Sequence, residues 1–248
     1  MDFAETLVLS VIMGLSIYVS LPIVLHSRMS GRPTRLLTAI AIGILIFLMG
    51  DVFAGAAASL HDGSLYGYGS SLMYEAVFVA AFAGGFLVLY LAESRSKEGL
   101  TPAELAFVIA LGMGFQNLTE GLVFGSLSVA VGLSGAALAV LVGFIFQNIT
   151  EGFPIASPFL GRPERKTGLM MVLFLIGGIP TIVGGAVGFF YNSVLLDLAF
   201  DGIAIGAILY AILPMLKALL REPSLDLQRL SYFGIFIGFL LGFLVNLV

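Results

Sequence analysis

Residues 36 to 60 read Leu36-Leu-Thr-Ala-Ile-Ala-Ile-Gly-Ile-Leu-Ile-Phe-Leu-Met-Gly-Asp51-Val-Phe-Ala-Gly-Ala-Ala-Ala-Ser-Leu60, and Asp51 is the one charge in the run. A helix over this stretch rises about 37 Å at about 1.5 Å per residue, which exceeds the roughly 30 Å hydrocarbon core of a bilayer. A soluble helix of that length would carry a polar stripe, and this one has none. The stretch is therefore expected to cross a membrane, with Asp51 facing a cavity or a partner along the pathway.

The same pattern recurs on both sides of it. Long apolar runs broken by polar or turn-forming clusters predict helices near 5 to 27, 36 to 60, 70 to 92, 103 to 127, 134 to 158, 168 to 191, 195 to 220 and 229 to 248. The fold expected is all-α, a polytopic membrane protein with eight transmembrane helices in a single domain over 1–248. Composition agrees, with 59% apolar and 10% charged residues and a mean hydropathy of +1.10, where a soluble domain carries about 25% charge. Thr101-Pro-Ala-Glu104 reads as a helix start, with Thr101 as N-cap, Pro102 at the first helical position and Glu104 closing a capping box. There is no cysteine, which excludes disulfides, thiolate metal sites, iron–sulfur clusters and a Cys nucleophile. A net charge of −4 offers no basic surface for nucleic acid.

The basic residues orient the chain. Arg28, Arg32 and Arg35 lie in or beside the first loop, Arg95 and Lys97 in the third, Arg162, Arg165 and Lys166 in the fifth, and Lys217, Arg221 and Arg229 around the seventh. Positive charge is retained on the cytoplasmic side, so both termini are expected outside and the number of crossings even. The acidic start, Met1-Asp-Phe-Ala-Glu5, and the absence of a small-residue cleavage site argue that the first helix is a span rather than a signal peptide. Outer carboxylates at Asp2, Glu5, Asp62, Glu75, Asp197 and Asp201 would present an acidic mouth to an arriving cation. Depletion of basic residues by topology explains them equally well.

Chemistry concentrates in one duplicated motif. Phe115-Gln-Asn-Leu-Thr-Glu-Gly121 in the fourth run is matched by Phe146-Gln-Asn-Ile-Thr-Glu-Gly152 in the fifth. Glu120 and Glu151 fall near mid-membrane, where a carboxylate costs on the order of 3 kcal/mol or more. Helical spacing stacks Gln116 and Glu120 at i and i+4 with Asn117 beside them, and Gln147, Asn148 and Glu151 repeat the arrangement. If the two faces meet, two carboxylates and four amide carbonyls form an oxygen cage for a divalent cation. Gly121 and Gly152 admit a neighbouring backbone, and Pro154 and Pro158 free carbonyls in the fifth helix. The amides alone would also serve as interhelical glue, but two buried glutamates with no Lys or Arg nearby in sequence ask for more. The two Asn-x-Thr sequons lie too deep for glycosylation.

These residues and this topology resemble the ZIP (Zrt-, Irt-like protein) family of divalent-metal transporters, which has eight transmembrane helices, both termini outside, and a His-Asn-x-Pro-Glu-Gly type motif in helix four with a related one in helix five. The resemblance implies that Asn117, Glu120, Asn148 and Glu151 stand where the family's metal ligands stand in a two-metal transport site. Gln116 replaces the usual histidine, Gln147 occupies a position filled by His or Gln, and Thr119 and Thr150 replace the motif's proline or its counterpart. Gly177-Gly-Ile-Pro180 is similar to a family segment whose Glu-Pro contributes a carboxylate, with Ile179 here before the proline. Tyr210-Ala-Ile-Leu-Pro214 is similar to a Glu-Glu-Leu-x-Pro segment without its acids. Asp51 lies near a position often acidic or His, and the family's histidine-rich loop is reduced to Ser94 to Gly99. Losing imidazole favours manganese, iron(II), magnesium or similar ions over zinc.

The expected function is therefore divalent metal transport (Zn, Fe, Mn or similar) toward the cytoplasm by alternating access, in a plasma or inner membrane. The metal is the substrate and no cofactor is implied. The site comprises Gln116, Asn117, Glu120, Gln147, Asn148 and Glu151, with Asp51, Thr119, Thr150, Glu75 and Asp201 along the pathway. His26 and His61 sit in loops on opposite sides and are read as solvated. Two alternatives remain open, a transport-inactive metal sensor and an intramembrane hydrolase using both glutamates. The second lacks a nucleophile elbow, a His-Glu-x-x-His pair or paired catalytic aspartates. Glycines spaced by four, at 184/188, 202/206 and 234/238/242, predict close helix packing within one bundle and, secondarily, a homodimer through the last helix.

Overall fold

Two helices begin in the same way. In α1 (Phe3–Leu15) the Glu5 backbone N–H donates to Asp2 Oδ1 at 2.8 Å, and the Asp2 N–H donates to Glu5 Oε2 at 3.0 Å. In α4 (Pro102–Val131) Thr101 and Glu104 make the reciprocal pair, at 2.7 and 3.3 Å, as the Thr-Pro-Ala-Glu spacing predicts. Asp2 and Glu5, expected as part of an outer acidic mouth, are thus committed to a cap.

The computed structural model describes residues 1–22, 31–61, 71–94, 99–133, 135–162, 167–191, 193–221, 224–245 and 247. His26, Arg28, Asp62, Arg95, Lys97, Arg165 and Lys166, to which the sequence gives roles, lie outside the described residues. The remaining helices are α2 (Arg32–His61), α3 (Ser71–Ser94), α5 (Gly135–Ala156), α6 (Thr167–Phe190), α7 (Val194–Leu220) and α8 (Leu225–Val245). Among the described residues, seven helices are long and apolar enough to cross a membrane, counting α1 with its 3-10 extension to Ser20. Helix α5 is of similar length, at 22 residues. The chain is a multi-pass helical membrane protein.

Two helices are less regular than the apolar runs imply. α1 gives way to a 3-10 turn over Ser16–Ser20, where Ser16 and Ser20 hydroxyls donate to the Met13 and Ile17 carbonyls just before Pro22. α5 ends in a 3-10 turn over Ser157–Phe159, after Pro154 has removed one N–H from its ladder and Ser157 Oγ has bonded the Pro154 carbonyl at 2.8 Å. α4 runs to Val131, past the expected end at 127, and stops at Gly132 with φ +62.

Packing sorts the helices into two groups. α4 lies along α6 through Gly121 and Gly125, whose added Cβ atoms would run into backbone at Thr181, Gly184 and Gly185; α1 meets α6 where Gly14 faces Gly178. In the other group α2 and α8 meet at Gly43 and Gly238, and α3 and α7 at Gly85, Gly202 and Gly206. Residue numbers rise together along the α4/α6, α2/α8 and α3/α7 contacts and run oppositely along α1/α6. That is the pattern of helices crossing alternately. Between the groups, the α4/α7 contact dominates and rests on side chains, with Phe115 stacked on Phe200 at 6.2 Å and Gly112 against Ala207 and Ile208. The outward surface is apolar. On α8 the buried residues are Ser231, Gly234, Gly238 and Gly242, while Phe233, Phe236, Phe239 and Phe243 are exposed, the last two with one edge against Phe47 of α2, the small-in, large-out arrangement that lipid permits and water does not. The glycine face of α8 is occupied by α2, as packing within one bundle requires.

Candidate cation site

The close fit at Gly121 fixes the rotation of α4, and Gly152, seated against Ser20, Ile17 and Phe174, fixes that of α5. The two hexads are thereby turned toward each other. All six expected site residues are buried, with Asn117, Asn148 and Glu151 at 0% exposure. Gln116 Nε2 donates to Glu120 Oε1 within α4 at 3.1 Å, the i to i+4 contact the spacing implies. Two bonds then cross between the helices, from Gln147 Nε2 to Glu120 Oε1 at 2.7 Å and from Asn117 Nδ2 to Glu151 Oε2 at 2.9 Å.

The asparagines also reach other helices. Asn117 Nδ2 donates a second bond to the Gly177 carbonyl of α6 at 3.0 Å, and Asn148 Nδ2 donates to the Met13 carbonyl of α1 at 3.0 Å, at the junction where α1 tightens into its 3-10 turn. The hydrogen bonds of the hexads thus link α1, α4, α5 and α6, all of one helix group. Each bond orients an amide with its NH2 toward an acceptor and its carbonyl oxygen elsewhere. Gln116 Oε1, Asn117 Oδ1, Asn148 Oδ1, Glu120 Oε2 and Glu151 Oε1 are buried and have no donor among the described residues. Buried acceptors are normally paired, and an unpaired one costs about 1–3 kcal/mol, more for a charged group. A cation satisfies such lone pairs. The donor set, two carboxylates with amide oxygens, fits a hard divalent ion, whereas among the described residues no three His, Cys, Asp or Glu side chains are grouped to hold a metal.

The residues read as pathway separate. Asp51 on α2 and Asp201 on α7, from the other helix group, lie near enough for their charges to act on Glu120, and Thr119 faces Asp201. Thr119 also donates to the Phe115 carbonyl at 3.3 Å. Thr150 is turned into its own helix, donating to the Gln147 carbonyl at 2.7 Å, and Glu75 is exposed near the start of α3. Asp197 keeps a buried Oδ1 that has no donor among the described residues. His61 Nδ1 bonds the Ala57 carbonyl at 2.7 Å at the exposed end of α2. The sequence did not reveal the Met13 and Gly177 carbonyls, because main-chain acceptors leave no trace in side-chain patterning. Nor did it single out Thr181 of α6, which is fully buried with a hydroxyl unpartnered among the described residues. Its one sequence signal is a polar residue after Pro180 within an apolar run.

No known family model matches the sequence, and no curated protein matches it.

Proposed function

We propose that this protein carries a divalent metal cation across a membrane toward the cytoplasm, holding it between α4 and α5 at Glu120 and Glu151, as a divergent relative of the ZIP transporters. The observation that carries the reading is the pairing pattern of the hexads. The amide nitrogens of Gln116, Asn117, Gln147 and Asn148 are all committed to protein acceptors, while five buried oxygens, two of them carboxylate, face no donor among the described residues. Interhelical glue would pair these oxygens; a cation site leaves them open. Two carboxylates balance a dication where the surroundings tolerate little net charge.

Alternating access is the mechanism we propose, and the packing supports it. The group α1, α4, α5 and α6 carries the oxygens and is joined by close glycine contacts at Gly14, Gly121 and Gly152, while in the other group glycine contacts join α2 to α8 and α3 to α7. The boundary between them is side-chain packing, which slides at lower cost than interlocked backbones. Asp51 and Asp201 stand across that boundary from Glu120 and would draw an arriving cation to it. A cleft of about 480 Å³ lies on the side bearing Arg35 and Arg162, lined by both groups, including Thr38 of α2, Pro102 of α4, Ser157 after α5 and Met215 of α7. By the positive-inside rule we read this as the cytoplasmic mouth, a reading that goes with both termini outside and eight crossings. Equilibrium binding of Mn2+, Fe2+ and Zn2+ to the purified protein tests the reading. Glu120→Ala and Glu151→Ala are expected to abolish it, and affinity unchanged in both variants would refute the site.

A further inference from the structure

Thr181 lies in the middle of α6, in the helix group that carries the hexads. Its side chain is fully buried and its Oγ1 has no hydrogen-bond partner among the described residues. Buried helical threonines ordinarily return the hydroxyl to the carbonyl three or four residues back. Thr6, Thr38, Thr119 and Thr150 all do so here. For Thr181 those carbonyls are Gly177, which receives Asn117 Nδ2 at 3.0 Å, and Gly178, which is packed against Gly14. The hydroxyl is therefore uncommitted beside a carbonyl already tied into the site.

Its surroundings are those of the hexads. Thr181 is one turn from Gly177 on the same helix face. A methyl added at Gly14, the residue after Met13, whose carbonyl holds Asn148, would come within 3.2 Å of the Thr181 Cβ. Its carbonyl meets Gly121, the residue after Glu120. Three of the four helices that the hexads link thus converge on Thr181, and no nonpolar role requires a hydroxyl there.

We infer that Thr181 Oγ1 is a further ligand of the cation, supplied by α6, and that it sets the ion preference of the site. The inference rests on reading the hexads as a cation site. With Gln116 Oε1, Asn117 Oδ1, Asn148 Oδ1, Glu120 Oε2 and Glu151 Oε1, it brings the uncommitted buried oxygens of this group to six. Six neutral and anionic oxygens suit octahedral ions such as Mn2+ or Mg2+, whereas Zn2+ is content with four ligands. Loss of the hydroxyl should therefore cost Mn2+ more than Zn2+.

The test is equilibrium binding of Mn2+ and of Zn2+ to the detergent-purified full chain, comparing the parent with Thr181→Val, Thr181→Ser and Glu120→Gln/Glu151→Gln. Valine keeps the shape and removes the oxygen. The expected result is Mn2+ affinity lowered about tenfold or more, the scale for losing one bond to a charged group, with Zn2+ affinity changed less and serine restoring Mn2+. The unfolding temperature of metal-free Thr181→Val should match or exceed that of the parent, since no bond in the protein is lost. Equal loss of both ions, no loss of either, or a metal-free protein destabilised by valine would overturn the inference. Abolished binding in the double glutamine variant beside normal binding in Thr181→Val would reject only the role of Thr181; Mn2+ binding that survives the double variant would reject the site itself.

Discussion

Replacing both buried glutamates by glutamine should stabilise the metal-free protein while abolishing its response to metal. Glu120 accepts two bonds on Oε1, from Gln116 and Gln147, and Glu151 accepts Asn117 on Oε2; among the described residues neither Glu120 Oε2 nor Glu151 Oε1 has a donor. A glutamine keeps the oxygen that is already used and places an NH2 where only unpaired acceptors now stand. Each carboxylate near the middle of a bilayer costs on the order of 3 kcal/mol, so the double variant should recover up to about 6 kcal/mol. For a chain of this size that upper limit corresponds to a rise of about 12–24 °C in unfolding temperature. In the parent, metal at one hundred times its dissociation constant should add about 2.7 kcal/mol, or about 5–11 °C. The chain has no tryptophan, so circular dichroism of the helices in detergent, with chelator and then with Mn2+, is the suitable assay. A double variant that melts below the parent in chelator, or that keeps the metal-induced rise, would refute the reasoning.

Three further outcomes follow from the packing. Gly184→Ala drives a methyl into the α4 backbone at Leu118 and should cost about 1–3 kcal/mol, whereas Gly143→Ala, with nothing within 4 Å of its added Cβ, should be neutral or slightly stabilising; thermal unfolding of the two separates them. Arg35 Nε donates to the Leu227 carbonyl at 3.0 Å and to Ser231 Oγ at 2.8 Å, and its Nη2 donates to the Leu219 carbonyl. Arg35→Met should therefore loosen the ends of α7 and α8, read as faster amide exchange there, at about 1.5–3 kcal/mol per lost charged bond. Asn148→Asp exchanges the donor on the Met13 carbonyl for a third acid, so it should destabilise the protein in chelator by about 1–3 kcal/mol and enlarge the stabilisation by metal.

The helices were legible because bilayer thickness sets a length that apolar runs must reach, and the capping box at Thr101 marked a start to the residue. The hexads were legible for the opposite reason, since a carboxylate within such a run is too costly to be incidental. What the helix spacing could not supply was partnership. The glycines at 184, 188, 202, 206, 234, 238 and 242 announce close approach, but which helix comes close depends on the topology of the bundle. Asn117 pairs with Glu151 across the helices rather than with its own neighbour Glu120, because α4 is rotated by the contact of Gly121 with α6. The 3-10 turn at Ser16 needs two hydroxyl bonds that any serine pair offers and few use. Asp2 and Glu5 counted as outer charge because their reciprocal cap is visible only once α1 begins at Phe3.

The central claim is that Glu120 and Glu151 hold a cation in transit. It is tested most directly by uptake of Mn2+, Fe2+, Zn2+, Cd2+, Co2+ and Mg2+ into proteoliposomes containing the parent or the Glu120→Gln/Glu151→Gln variant. Saturable uptake by the parent, strongest for the ions that favour oxygen ligands and absent in the variant, is the predicted result. Metal binding by the parent with no flux would make it a sensor, and flux that survives in the variant would contradict the assignment of these two residues.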